Sequence, residues 1–444
     1  MNPIREKLEN WVRSGNAAAA VMLAVASRFL VVAVNTATGI LTARTLQPQG
    51  RGEMAALILW PIFWSSALTL GLPSSLIFNL KRSPDRQSQL LGAALWLGFC
   101  LGVLAAIAGM VMMPILLSGY SPETILAARL IMLHTPLCLL ILIARAALEA
   151  RGDFRGSNLT WLVTPLLALA GLSVMAITGT LTPVRAALAY VFNGFPVYLW
   201  LAVRLWQLYR PSLRGWLYSS GELLRYGIRA YGVDLLAAMA QQIDQVMLVG
   251  LLAPAALGAY VVASSLARML QLFQQAFVMV LFPKAASLGA EEVVALTGRA
   301  VRISTGLTAL AGAVVALCGP WLLGFLYGTE FIAASTLLRL LVLDATLTSA
   351  TLVLGQAFMA LGRPGVVTIL QGAGLVLCAA LMPVCIARFG LPGAGMALVC
   401  GSVVRLCLML FSFPRLLQQQ APRLFAGRED LSFLWRKFAK AQGI

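Results

Sequence analysis

The chain predicts an all-α polytopic membrane protein, with about twelve transmembrane helices in two six-helix lobes. Three observations predict it. The 444 residues are 60% hydrophobic and only 11% charged, with a mean hydropathy of +0.87. A soluble core cannot absorb that much apolar surface, whereas lipid can. The apolar residues also fall into twelve stretches, each near the roughly 20 residues needed to cross a bilayer. Finally, the basic residues between those stretches alternate by side. Helices are the spanning element because each pairs its own backbone N–H and C=O groups. The short alternating segments of an outer-membrane barrel are missing.

In chain order the predicted spans are 17–43, 54–78, 90–117, 124–147, 157–178, 184–206, 223–252, 259–283, 300–326, 331–361, 365–387 and 393–417. The start, polar and basic, precedes an apolar run too long for a signal peptide, so the first span reads as an uncleaved anchor. One set of termini and loops carries Arg5 to Arg13, Lys81 to Arg86, Arg145 to Arg155, Arg204 to Arg229, Lys284 to Arg302, Arg363 and the tail. The other carries Arg44, Arg51, Arg185 and Arg388. The count of Lys and Arg is twenty-four against four, so both termini of this inner-membrane protein are expected in the cytoplasm. Topology thereby accounts for most of the +17 net charge, and no nucleic-acid partner is implied. The seven cysteines all fall in spans and form no CxxC pair; they read as packing or lipid-facing thiols.

The chain repeats itself. Leu46, Pro48 and Gly52 follow the first span, and Leu252, Pro254 and Gly258 follow the seventh with the same spacing. Each motif is a short outward turn, where Pro fixes φ and Gly tolerates positive φ. Two six-helix halves of equal topology imply a parallel repeat about an axis along the membrane normal, with a substrate path between rocking lobes. The expected domains are an N-terminal lobe (1–206), a cytoplasmic connection (207–222), a C-terminal lobe (223–417) and a basic tail (418–444). Tyr209, Trp216 and Tyr218 suit an interfacial connection. In the tail, Leu431, Leu434, Trp435 and Phe438 follow helical spacing, so an amphipathic helix on anionic membrane lipids is expected.

These residues carry a family resemblance. Ala43-Arg44-Thr45-Leu46-Gln47-Pro48 with Arg51-Gly52 resembles the first-loop signature of bacterial oligosaccharide-lipid flippases. That is the polysaccharide-biosynthesis branch of the superfamily that also holds multidrug and toxin extrusion transporters. Asp244-Gln245, Gly258-Ala259-Tyr260 and Phe282-Pro283 resemble the opening of that family's second half. Ala360 to Pro364 and Gly390 to Gly395 resemble its tenth-span end and twelfth-span start. Gln47 departs from the glycine common there. The resemblance implies a V-shaped, alternating-access transporter that moves undecaprenyl-pyrophosphate-linked sugar repeat units. Polysaccharide polymerase and glycosyltransferases are its expected partners.

Ionisable side chains at bilayer depth are costly unless they face water or a partner. In the first span Arg28, Asn35 and Thr42 lie seven apart and form one polar stripe. In the eighth, Ser264, Arg268, Gln271 and Gln275 do the same, and in the seventh Asp234, Gln241, Asp244 and Gln245 share a face. Trp60 and Trp64, one turn apart, could offer aromatic surface to a sugar ring or polyprenyl chain. The expected substrate cavity is therefore lined by Arg28, Asn35, Trp60, Trp64, Gln241, Arg268, Gln271 and Gln275, with the arginines drawing the pyrophosphate. The other reading is that each arginine neutralises an aspartate and joins helices. Asp234 and Asp244 are candidates for ion coupling or charge pairing, Asp244 with Arg268. Arg405 either lines the C-terminal lobe or snorkels to the interface.

Arg145 and Glu149 read as a surface i,i+4 pair. Arg339 and Asp344, five apart, do not share a helix face. Gly98 and Gly102 read as an intramolecular packing face. A single histidine, His134 beside Pro136, rules out a multi-histidine metal site, and no phosphate-loop motif is present. No cofactor, metal or catalytic residue is expected. Two other functions compete. A drug/cation antiporter of the same superfamily would favour an acid in the first span, where this chain has Arg28. A membrane-embedded glycosyltransferase or polymerase would need a catalytic base and usually a large outward loop, and the outward loops here are short.

Overall fold

The computed structural model describes residues 17–272, 274, 275, 278 and 289–424. The amphipathic tail helix expected around Trp435 lies outside the described residues. So do the first sixteen residues and Phe282-Pro283.

Helix α1, Ala17–Ala67, contains the first span and most of the second. It is broken at Gln47, whose φ of 59° and ψ of 175° leave helical geometry. The second span, expected as one helix over 54–78, is interrupted. The chain leaves the helix after Ala67, passes Leu70 and Gly71 at positive φ, and restarts as α2, Leu72–Arg82. Gly71 and Pro73 explain the break: the glycine adopts φ 70° without strain, and the proline sits in the new first turn, where its missing N–H costs nothing.

The same punctuation divides other spans. Gln87–Leu116 (α3) is continuous. The fourth span is α4 (Pro122–Ile131), a short 3₁₀ turn at Met132–His134, and α5 (Thr135–Ala150), with Pro136 in the first turn of α5. Phe154–Ile177 forms α6. The sixth span divides at Asn193 and Gly194 into α7 (Pro183–Phe192) and α8 (Phe195–Tyr209). Trp216–Leu251 is α9 and Pro254–Met269 is α10. The ninth span divides at Cys318 into α11 (Ala290–Leu317) and α12 (Gly319–Leu326). Ser335–Ala360 (α13), Pro364–Phe389 (α14) and Leu391–Ser412 (α15) follow.

Among the described residues, nine stretches are long and apolar enough to cross a membrane. The first, Ser27–Ala67, holds both arms of α1 and so serves two crossings. The other two expected crossings are α9, whose apolar character is diluted by Arg225, Arg229, Asp234 and Asp244, and α10. Large apolar side chains stand bare on the surface, with Ile177 85% and Ile115 75% exposed. Such a surface suits lipid rather than water.

The chain forms two compact units. One gathers the described residues of Met1–Ala33, Ala263–Leu323 and Ile332–Ile444; the other gathers Val34–Val262 and Gly324–Phe331. In the first, α11, α13, α14 and α15 pack together over Val301, Leu354, Phe358, Met409 and Phe413. In the second, α9 packs on α2 and α3, and α3 on α5, over Leu72, Leu76, Leu91, Ile143 and Leu223. The small faces of Gly98 and Gly102 receive Ile143 and Pro136 of α5, the intramolecular packing expected of them. These units do not coincide with the sequence halves: the described residues up to Ala33 group with the C-terminal helices, while α9 and Gly324–Phe331 group with the N-terminal ones.

Candidate functional site

The two repeated turns meet in the second unit, and they meet reciprocally. A Cβ on Gly52 would collide with the carbonyl oxygen of Pro254, and a Cβ on Gly258 would collide with that of Pro48. Each added Cβ would also lie 2.9 Å from the other glycine's nitrogen. The contact therefore maps onto itself when the two repeats are exchanged, which is what a two-fold relation between them requires. Glycine is needed at both positions because the obstacles are backbone atoms, which cannot rotate away. Arg44 of the same motif is a structural cap. Its guanidinium donates to the carbonyls of Phe325 and Leu326 at the C-terminal end of α12, where cations are favoured.

The polar stripes are partly realised. Arg28 is exposed and donates from Nη1 to Oε1 of Gln275 at 2.7 Å, joining two candidate residues 247 positions apart within the first unit. Arg268 is exposed and Gln271 half-buried in that unit. Asn35 and Gln241, in the second unit, are both exposed on spanning helices. Thr42 leaves the stripe: it is fully buried and donates back to Thr38 and Gly39 of its own helix. Trp60 is only 2% exposed and stands edge-on to Phe63, so it offers no face to a ligand; Trp64 is half-buried.

Each aspartate of α9 holds a hydroxyl. Asp234 accepts from Ser74 at 2.9 Å, beside the break in the second span. Tyr231, three residues away, donates to the carbonyl of Ala67 at that break. Asp244 accepts from Tyr260 at 2.5 Å. The Asp244–Tyr260 bond ties α9 to α10, immediately after the repeated turn. Sequence reasoning missed Tyr260 as a partner although the family motif contained it, because a tyrosine in an apolar run gives no sign of where its hydroxyl points.

The first unit contains a second polar network that the sequence left open. Arg405 donates to Thr348 at 2.7 Å and to Ser402 at 3.2 Å, and Ser402 donates to Asp344. Arg405 thus neither snorkels nor stands alone; it joins α15 to α13. Arg339 donates instead to the carbonyl of Ala316. Arg145 and Glu149 do not pair as expected. Arg145 donates to Thr160 at 2.9 Å and lies 4.0 Å from the centre of the Trp161 ring, while Glu149 accepts from Ser157. His134 sits in the 3₁₀ turn and stacks on Tyr198 with ring centres 5.7 Å apart. No group of three or more His, Cys, Asp or Glu side chains positioned to hold a metal was found among the described residues.

Nine long apolar stretches among the described residues define a multi-pass membrane protein. The comparisons agree with that class and narrow it. The family described as polysaccharide biosynthesis protein matches residues 41–336, and the chain belongs to it. No curated protein matches the chain. Among solved structures, the lipid II flippase MurJ in an inward closed conformation is similar at a TM-score of 0.75 and 12% identity, covering 88% of this chain and 87% of that one. An inward-facing multidrug resistance MATE transporter of the MOP superfamily is similar at 0.70 and 17%, covering 86% and 93%. A MOP-superfamily transporter from Pyrococcus furiosus, described as having a binding pocket of reversed polarity, is similar at 0.61 and 16%, covering 90% and 97%. At these identities the likeness establishes the fold alone, an all-α multi-pass membrane fold shared with these transporters.

Proposed function

We propose that this protein translocates undecaprenyl-pyrophosphate-linked oligosaccharide repeat units for O-antigen, capsule or exopolysaccharide, from the cytoplasmic to the periplasmic leaflet of the bacterial inner membrane. Both termini lie in the cytoplasm. The observation that supports this most is Arg28, an exposed guanidinium inside the first spanning helix of a polysaccharide-biosynthesis protein. A carboxylate there would suit a cationic cargo; a guanidinium suits pyrophosphate. The bond to Gln275 uses one of its five N–H donors and fixes the side chain. The remaining donors can grip phosphate oxygens in pairs.

Arg268 and Gln271, of the same unit as Arg28, add a second positive charge and an amide for sugar hydroxyls. Asn35, Gln241 and the half-buried Trp64 of the other unit are further candidate sugar contacts. The head group enters from the cytoplasm, the polyprenyl chain stays in lipid, and rocking of the two repeats releases the head outward. Glycosyltransferases supply the cargo and a polymerase consumes it.

Loss of the first guanidinium tests the reading. Arg28→Ala is expected to abolish surface polysaccharide at normal membrane levels of the protein, and Arg28→Lys to keep part of it, since charge survives without paired hydrogen bonds. Unchanged polysaccharide in Arg28→Ala and Arg268→Ala together would refute the pyrophosphate role. Disappearance of the protein from the membrane would favour helix joining instead. A cation antiporter of the same superfamily is the competing reading, and it predicts altered drug sensitivity with unchanged polysaccharide.

A further inference from the structure

The second unit carries an apolar groove of about 490 Å³ between α3, α5 and α8. Trp96, Phe99, Leu137 and Trp206 line it, and Pro211 and Leu213 close its end at the connection between the sequence halves. The aromatic side chains are open to the surroundings, with Trp206 65% exposed. A groove of this composition inside a bilayer takes a hydrocarbon chain.

Two arginines adjoin the groove's lining residues in the chain. Arg210 and Arg214 flank Pro211 and Leu213, both are exposed, and neither enters an ion pair found among the described residues. The neighbouring cations are already engaged. Arg86 pairs with Glu222 at 3.1 Å, Arg204 pairs with Asp153 at 3.1 Å, and Arg151 donates to Leu208. The loop bearing the two remaining arginines is also fixed. Ser212 N–H donates to the Ser88 carbonyl at 3.0 Å, and the Ser88 hydroxyl donates to the Arg210 carbonyl at 2.5 Å. The backbone of Ser212 lies so near Gly92 that no Cβ fits between them.

We propose that this groove is a binding site for an anionic phospholipid, with one acyl chain along Trp96 and Trp206 and the phosphate between Arg210 and Arg214. The charge complementarity selects an acidic head group over a zwitterionic one. The fixed loop suits a resident lipid rather than cargo that must leave, because no wall of the site has to move to hold it. Bound there, the lipid joins α3, α5 and α8 to the connection that leads into α9, so its head group braces the link between the two repeats. The site is separate from Arg28 and does not depend on the proposed cargo.

Native mass spectrometry of the full-length protein, released from micelles containing equal phosphatidylglycerol and phosphatidylcholine, tests it. The wild type is expected to retain phosphatidylglycerol in preference, by about fivefold for each arginine. Raising the salt concentration before release should erode that preference without any mutation. Arg210→Asn with Arg214→Gln should abolish it; asparagine is chosen because Arg210 has φ 46°, which Asn tolerates. Ala202→Phe, which fills the groove, should reduce retention of both lipids. Equal retention of the two lipids by the wild type overturns the proposal. So does a preference that survives the paired arginine changes in a folded, monodisperse protein. A polyprenyl phosphate that displaces the phospholipid with higher affinity would also overturn it, reassigning the groove to the cargo chain.

Discussion

Adding one methyl group at Gly52 or Gly258 is the sharpest perturbation of the repeat contact. A Cβ at Gly52 would sit 2.9 Å from the Gly258 nitrogen and 1.7 Å from the Pro254 carbonyl oxygen. Both obstacles are main chain, so the two turns must move apart. Overpacking of this kind costs about 3 kcal/mol, the upper end of its usual range. Replacing a helical glycine by alanine returns about 1 kcal/mol of helix propensity. Each single variant, Gly52→Ala or Gly258→Ala, should therefore lose about 2 kcal/mol net. The double variant should lose less than the sum of the two, because one separation of the turns makes room for both methyls. Gly250→Ala is the control: it lies in α9 with nothing within 4 Å of an added Cβ, and it should be neutral or stabilising by up to about 1 kcal/mol. Unfolding titrations in mixed micelles with sodium dodecyl sulfate would give all four values. Fully additive single effects, or two variants as stable as the control, would refute the reciprocal contact.

Other perturbations follow from the same structure. Gln47 holds φ 59° and ψ 175°, a region suited to glycine, so Gln47→Gly should raise stability by about 1 kcal/mol in the same titration; a loss would show that the strain is absent. Tyr260→Phe removes the hydroxyl that Asp244 accepts and should cost about 2 kcal/mol, and it should cost almost nothing once Asp244→Ala, which removes the acceptor, is also present. Cost that persists in the Asp244→Ala background would assign Tyr260 a different partner. Asp153 caps α6, and the Gly156 amide, followed by Arg204, holds its carboxyl below the usual carboxylate range. Asp153→Asn keeps the cap and removes the charge. The wild type's advantage over that variant should be full above about pH 4, the ordinary carboxylate range. It should fade as the pH falls through the depressed native value, and a difference independent of pH would contradict it.

Much of the fold was legible because lipid imposes length and hydropathy on each crossing. The breaks inside the spans were not. Gly71-Leu72-Pro73, Pro136, Pro196 and Pro320 all stood in the sequence, yet an apolar run reads the same whether its helix is continuous or divided. The exception was the repeated turn, whose Pro and Gly spacing pointed to two equivalent corners; the structure adds that those corners touch. For the site, helical spacing picked out the polar residues of the apolar stretches, and it brought out Arg28 and Gln275, which do meet. It did not separate exposed Asn35 from buried Thr42 on the same stripe, because a seven-residue spacing on a helix fixes direction only roughly, about 20° off per heptad. Partners across helices, such as Tyr260 for Asp244 and Ser402 for Asp344, depend on packing that no local pattern encodes.

The proposed activity is tested most directly by where the lipid-linked oligosaccharide resides when the protein is missing. Inverted and right-side-out inner-membrane vesicles from cells with and without the gene can be treated with an impermeant sugar-modifying enzyme. The account predicts that, without the gene, the lipid-linked repeat unit accumulates and is reached only from the cytoplasmic face, while polymerised surface polysaccharide disappears. Equal access from the periplasmic face in both strains, with polysaccharide output unchanged, would contradict it.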